Sequence, residues 1–101
     1  MPRPRRYRHI RGQPATTAFK PLGIPLQTID NVALSLEEFE AVRLLDKEHL
    51  TQEAAAQLMQ ISQATLSRTI TKARTKIAEA LTEGKAIIIA TTNHEPTTPK
   101  P

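Results

Sequence analysis

Apolar residues recur at helical spacing in the middle of the chain, beginning with residues 35–48. The expected buried face of this first helix holds Leu36, Phe39, Val42 (or the stem of Arg43) and Leu45. Ser35 is followed three residues later by Glu38, a capping box that predicts the start of the helix. The acidic residues of its first turns complement the helix dipole, and we expect them to be solvated: Glu37, Glu38 and Glu40.

Two more helices are predicted around a tight turn within residues 51–70, TQEAAAQLMQISQATLSRTI. The first, Gln52–Met59, is rich in alanine and glutamine and follows Thr51, which can cap it. Gln60 then occupies a turn position where a left-handed backbone is common, and a residue other than glycine costs roughly 1 kcal/mol there. Ser62 can cap the next helix. This spacing is typical of a helix-turn-helix, although an ordinary helical hairpin with polar outer faces has the same pattern.

The last helix is expected to run from Gln63 to about Glu83, where Gly84 ends it. Its apolar residues form a heptad-like seam that can pack on the preceding helices or pair with a second copy: Leu66, Ile70, Ala73, Ile77 and Ala80. Beyond it, Lys85–Ala90 favours an extended strand. Ile87–Ile89 must then pair with Val32–Leu34 or with a partner subunit, and we expect a homodimer, which would cover both features at once.

The flanking segments are less regular. Residues 13–34 contain several prolines, and we expect Phe19 and the aliphatic residues after it to cover one side of the helical core. Residues 1–12 form a basic arm in which prolines and repulsion between arginines disfavour a helix. Residues 91–101, with three prolines and four threonines, are expected to be disordered. The predicted organisation is therefore an arm (1–12), one all-α domain with a short extended segment (13–90) and a tail (91–101).

Composition narrows the functional classes. The chain has no cysteine, its three histidines are scattered, and no apolar run approaches the ~20 residues that span a membrane. We therefore expect no metal site, no cofactor and a cytoplasmic location. The helical carboxylates have no accompanying nucleophile, so we expect no catalysis.

The net charge of +4 is unevenly distributed along the chain. Residues 1–29 carry six basic residues and no acid, and residues 54–76 carry four basic residues and no acid. Residues 30–53 have a net charge of −5, and residues 77–101 one of −1. Positive charge is thus concentrated on the arm and the last helix, as expected of a protein that meets a polyanion on one side.

These patterns predict binding to double-stranded DNA through the last helix. Its exposed residues after the cap are of types that contact base edges and phosphates: Gln63, Ala64, Thr65, Ser67 and Arg68. Lys72 and Lys76 continue a basic stripe from Arg68, and the arm adds Arg3, Arg5, Arg6 and Arg8 as phosphate or minor-groove contacts. The alternative is a protein-interaction module that uses the long helix and Ile87–Ile89, whose affinity would respond little to salt.

Several segments in order along the chain resemble one family of short prokaryotic proteins. They are MPRPRR, FKPLGIPL, LSLEEFEAVRL, the two helices around the turn, and IAEALTEGKAI, and together they cover roughly residues 1–89. The family is the domain of unknown function family one-three-four. The resemblance implies a reading unit similar to region four of sigma factors and a role in transcription, with the transcription machinery as a further partner. It makes Thr51–Met59 the supporting helix and Gln63–Lys76 the recognition helix.

Overall fold

The computed structural model describes residues 14–90, which form a mostly helical domain with a small sheet. Helix α1 (Leu36–Val42) continues directly into a π-helical segment (Arg43–Lys47). Helices α2 (Gln52–Met59) and α3 (Gln63–Glu83) follow. The strands are β1 (Ala18–Phe19), β2 (Asn31–Leu34) and β3 (Ala86–Ile89), with a 3-10 turn at Leu26–Thr28. The predicted arm (1–12) and tail (91–101) lie outside the described residues.

Local capping sets the start of each helix, as predicted. The Ser35–Glu38 capping box is complete, because Glu38 N–H donates to Ser35 Oγ at 3.1 Å and Ser35 N–H donates to Glu38 Oε1 at 2.9 Å. Thr51 Oγ1 accepts from Ala54 N–H at 3.0 Å at the start of α2. Ser62 Oγ accepts from the N–H of Thr65 at 3.0 Å at the start of α3. Each side chain satisfies a backbone donor that has no partner within its helix.

Left-handed residues end the two later helices. Gln60, directly after α2, has φ 59° and ψ 45°, which confirms the left-handed turn expected there. Gly84 ends α3 with φ 72°, also as predicted. The backbone therefore reverses within residues 60–62 and directs α3 across α2.

The main core lies where α1, the π-helical segment, α2 and α3 meet. Its largest fully buried apolar side chains are Met59, Leu66 and Ile70. Leu44 and Leu45, from the π-helical segment, pack in the same cluster. Ala55 and Ala56 are buried there as well, and their small side chains permit close contact between α2 and α3. The predicted core is therefore confirmed for Leu45, Leu66 and Ile70. The rest of the face expected for the first helix, Leu36, Phe39 and Val42, is only partly buried, and Ala41 is fully buried instead.

The prediction of an all-α domain needs correction, because three segments form a sheet in the order β1-β3-β2. β3 is the central strand, parallel to β2 and antiparallel to β1, with Leu34 opposite Ile89. Leu34 and Ile89 are buried with Ala73 of α3, and this second cluster joins the sheet to the helices. β-branched isoleucines favour this pairing, which gives otherwise exposed backbone groups their hydrogen bonds.

The same pairing covers, within one chain, part of the apolar surface on which the expected homodimer was based, whereas Ile77, Ile87 and Ile88 are only half-buried. The homodimer itself stays a prediction. Ile70, Ala73 and Ala80 are buried within one chain, and Ile89 is covered by the same fold. Of the two partners expected for Ile87–Ile89, the one that pairs with them here is β2 of the same chain.

Two expectations about exposure were wrong. Glu38 and Glu40, expected to be solvated, are 3% and 0% exposed, because each has a cationic partner within the fold. Leu22, expected to help cover the core, is fully exposed, and Phe19 is half-exposed.

Candidate nucleic-acid interface

One continuous face of α3 is open to solvent, and we call it the α3 stripe. Its members recur at helical spacing and none is acidic: Gln63, Ala64, Ser67, Arg68, Thr71, Lys72 and Thr75. The opposite face carries Leu66, Ile70 and Ala73, which are buried in the two core clusters. Burial of that face therefore holds the α3 stripe outward on a rigid helix. Five of the predicted contact residues belong to it, whereas Thr71 and Thr75 were missed, although their spacing from Ser67 could have identified them.

Thr65 lies at the edge of the α3 stripe and is half-buried. Its Oγ1 accepts a hydrogen bond from Ser62 Oγ at 2.9 Å, and its N–H is held by the same serine. The structure thus places Thr65 in the N-terminal cap of α3, where its hydroxyl already has one partner.

Lys76, a predicted phosphate contact, has partners within the fold. Its ammonium donates to Glu38 Oε1 at 2.8 Å and to the carbonyl oxygen of Ala33, and its side chain is only 19% exposed. Because Glu38 is buried, the lysine neutralises a carboxylate inside the fold. Spacing along α3 could not reveal this, since the partner lies 38 residues earlier in the chain.

Arg74 also has a partner within the fold. Its guanidinium binds Asp46 in a bidentate manner, with Nη2 2.6 Å from Oδ1 and Nε 3.2 Å from Oδ2. The hydrogen bonds from Arg74 lower the pKa of Asp46 below its ordinary value. This pair connects the π-helical segment to the middle of α3 on the protein surface.

Glu40 and Arg43 form a third pair, within α1 and the segment that follows it. Arg43 Nε and Nη2 each donate to a Glu40 carboxylate oxygen at 2.9 Å. These hydrogen bonds raise the pKa of Arg43, which therefore stays protonated beside the fully buried carboxylate. The pair stabilises the helix against which α3 packs.

Arg68 and Lys72 are the cations of α3 that make no ion pair within residues 14–90. With Thr65 and Thr69 they form one wall of a cleft of about 400 Å³. The other wall is the start of α1, with Ser35, Glu37 and Glu38. The two basic side chains are therefore available at the surface, and the acidic residues that line the cleft lie on its α1 side.

Two absences can be stated for residues 14–90. No group of three histidine or acidic side chains is placed to hold a metal ion within that range. In the same range, no helix has the length and apolar character needed to cross a membrane.

The model of the family described as "Protein of unknown function DUF134" matches residues 1–96. A UPF0251 protein of Caldanaerobacter subterraneus is 50% identical over 95 residues, which cover 94% of this chain and 80% of that protein. A UPF0251 protein of Aeromonas salmonicida is 45% identical, with 88% and 87% covered. A UPF0251 protein of Methanothermobacter thermautotrophicus is 49% identical over 88% of this chain and 46% of its own length. No solved structure matches the chain.

Proposed function

We propose that this chain, which belongs to the DUF134 family, binds double-stranded DNA by placing α3 in the major groove. The single observation that carries the proposal is the α3 stripe, an exposed helical face with amide, hydroxyl and cationic side chains and no acid. The major groove is wide enough for one α-helix, and side chains of these types contact base edges and phosphates.

The arrangement of α2 and α3 supports the same proposal. The two helices are joined by residues 60–62 and share a core, so α2 supports α3 while the α3 stripe stays exposed. DNA-binding helix-turn-helix motifs use a similar arrangement, in which residues near the start of the second helix contact the bases, and this likeness supports the proposal. We liken the unit to region four of sigma factors, which makes transcription in the cytoplasm, together with the transcription machinery, the proposed setting.

The side chains of the α3 stripe have different proposed roles. Gln63, Ser67 and Arg68 lie near the start of α3 and are proposed to contact base edges, with Ala64 offering apolar contact to a thymine methyl group. Lys72, one turn further along, is proposed to contact phosphate. Arg3, Arg5, Arg6 and Arg8 of the arm are proposed to add contacts to the phosphates or the minor groove.

Selection of bound sites from random duplex DNA tests this function directly. We expect one enriched sequence, bound with an affinity that falls steeply as salt rises because bound phosphates release their counterions. Competition with unrelated duplexes and with single strands of the same sequence controls for non-specific attraction of a basic protein. Recovery of unenriched sequences, or an affinity independent of salt, would contradict the proposal.

The protein-interaction alternative based on the seam and Ile87–Ile89 is less well supported. Ile70 and Ala73 are buried against other parts of the chain, and Ile89 lies within the second core cluster. The start of the seam is therefore unavailable to a partner, whereas Ile77, Ile87 and Ile88 are only half-buried.

A further inference from the structure

A second surface, near the C-terminal end of α3, exposes several large apolar side chains. A groove of about 270 Å³ is lined by Phe19 and Pro21, by Ile87, which pairs with Phe19 in the sheet, and by Leu81 near the end of α3. Leu81, near the end of α3, is 77% exposed, and Phe19 is 53% exposed. Large apolar side chains grouped in this way mark an interaction site.

A leucine protrudes directly beside this groove. Leu22 is fully exposed, and it occupies the second position of a tight turn in which Ile24 N–H donates to Pro21 O at 3.4 Å. Gly23 follows with φ 78°, the left-handed conformation that this turn requires at its third position. The turn therefore presents Leu22 on a short, constrained loop next to an apolar groove.

We propose that this surface binds a second copy of the same chain, with Leu22 of each copy inserted into the groove of the other. An interface related by a two-fold axis uses one patch twice, so it needs a projection and a matching recess on the same surface. Leu22 and the groove supply both.

The charges around the groove fit a second copy better than a strongly charged partner. Lys20 and Lys85 line the groove, and Lys85 is paired with Glu79 and Glu83. Among residues 14–90, these two basic and two acidic side chains make the border neutral, so two identical patches can approach without net repulsion. The α3 stripe, in contrast, carries only positive charge.

The position of the groove would also allow the dimer to bind DNA with both copies of α3, an argument that rests on the proposed function. Arg68 and Leu81 are separated by thirteen residues of α3, or about 20 Å at 1.5 Å per residue. A two-fold axis near Leu81 can thus separate the two Arg68 side chains by up to about 40 Å. Recognition helices that bind successive major grooves on one side of DNA are about 34–36 Å apart, which a modest tilt of α3 satisfies.

Sedimentation of the whole chain at micromolar concentration, without DNA, tests the proposal. We expect wild type to sediment at twice the mass of one chain. Leu22→Asp should weaken dimerisation about a hundredfold, because each dimer contains two such contacts. Leu81→Asp should have a similar effect, whereas Gln27→Asp, at an exposed position outside the groove, should leave the dimer intact. Thermal unfolding of each variant reports on folding.

DNA binding then separates this inference from the proposed function. The Leu22→Asp variant should bind a single half-site as wild type does, but should lose cooperative binding to two half-sites one turn apart. A wild-type dimer that Leu22→Asp dissociates would support the interface even if neither protein bound DNA. A wild-type chain that stays monomeric, or a dimer that persists unchanged in both groove variants, would overturn the inference.

Discussion

Lys76 Nζ lies 2.8 Å from Glu38 Oε1, and the same oxygen accepts the N–H of Ser35 at 2.9 Å. One buried carboxylate therefore joins the first turn of α1 to the middle of α3. The contact is thus one of those that hold α1 against α3, together with the apolar packing of Leu66 and Ile70.

Replacing Lys76 should destabilise the fold. The side chains proposed to contact DNA would all remain in place. We expect Lys76→Met to lower the free energy of unfolding by about 2–4 kcal/mol, because it leaves the Glu38 carboxylate buried without its cation. The double variant Lys76→Met/Glu38→Gln should recover part of that loss. Urea unfolding measures both, with the exposed Lys72→Met as the control that should change stability by less than about 0.5 kcal/mol. A Lys76→Met protein as stable as wild type would contradict the structural role.

Arg68 is the side chain of the α3 stripe most suited to reading a base. Arg68→Ala should weaken binding to the selected site by about 1–3 kcal/mol while leaving thermal stability unchanged, because the side chain is exposed and has no ion pair within residues 14–90. Arg74→Ala is the matched control, since Arg74 lies on the same helix but binds Asp46. Fluorescence anisotropy gives both affinities. Equal losses for the two variants would show general attraction to a cationic helix and not readout at Arg68.

Removal of residues 1–12 should weaken binding to all duplex sequences by a similar factor. The deletion takes away five arginines, so fewer counterions are released on binding and the slope of log affinity against log salt should become shallower. Titrations at several salt concentrations with the selected site and an unrelated duplex measure this. An unchanged slope would limit the arm to a role in solubility, and a large loss of thermal stability would make it part of the fold.

Gln60 provides a test of backbone strain at the turn. Its φ of 59° is costly for a residue with a Cβ atom, so Gln60→Gly should raise the free energy of unfolding by about 0.5–1 kcal/mol. The same substitution at Gln57, an exposed position inside α2, should instead lower it by about 0.5 kcal/mol. Urea unfolding of the two variants in parallel would show opposite signs. Destabilisation by both would mean that the Gln60 side chain contributes more than its backbone strain removes.

The Asp46–Arg74 pair should contribute a small, pH-dependent stabilisation. Because Arg74 lowers the pKa of Asp46 in the folded state, the contribution is present above the unfolded pKa of about 3.9 and is lost as pH falls through the lower folded value. Both side chains are substantially exposed, so we expect Asp46→Asn to cost only about 0.5 kcal/mol at neutral pH. Unfolding curves of the two proteins should converge by about pH 2. A difference that persists there would have another cause.

The bounds of the helices could be predicted from the sequence because their signals are local. Ser35, Thr51 and Ser62 each precede a helix by one residue, and Gly84 follows one, so the cap lies within a few residues of the backbone group that it satisfies. Apolar spacing likewise identified Leu66 and Ile70 as core residues. Once the apolar positions of α3 were assigned to the core, the remaining positions defined its exposed face. Most residues of the α3 stripe were therefore correctly predicted to be exposed.

The tertiary structure decided which partner each side chain meets. Lys76 and Lys72 look alike along the helix, yet only Lys76 forms an ion pair with the buried carboxylate of Glu38 in α1. The isoleucines of β3 could have paired within the chain or between chains, and the approach of β2 settled their parallel register. Leu22 is as apolar as the core residues but lies on a turn that faces away from them. Ion pairing, strand pairing and burial all depend on distances between segments remote in sequence, and those distances exist only in the folded chain.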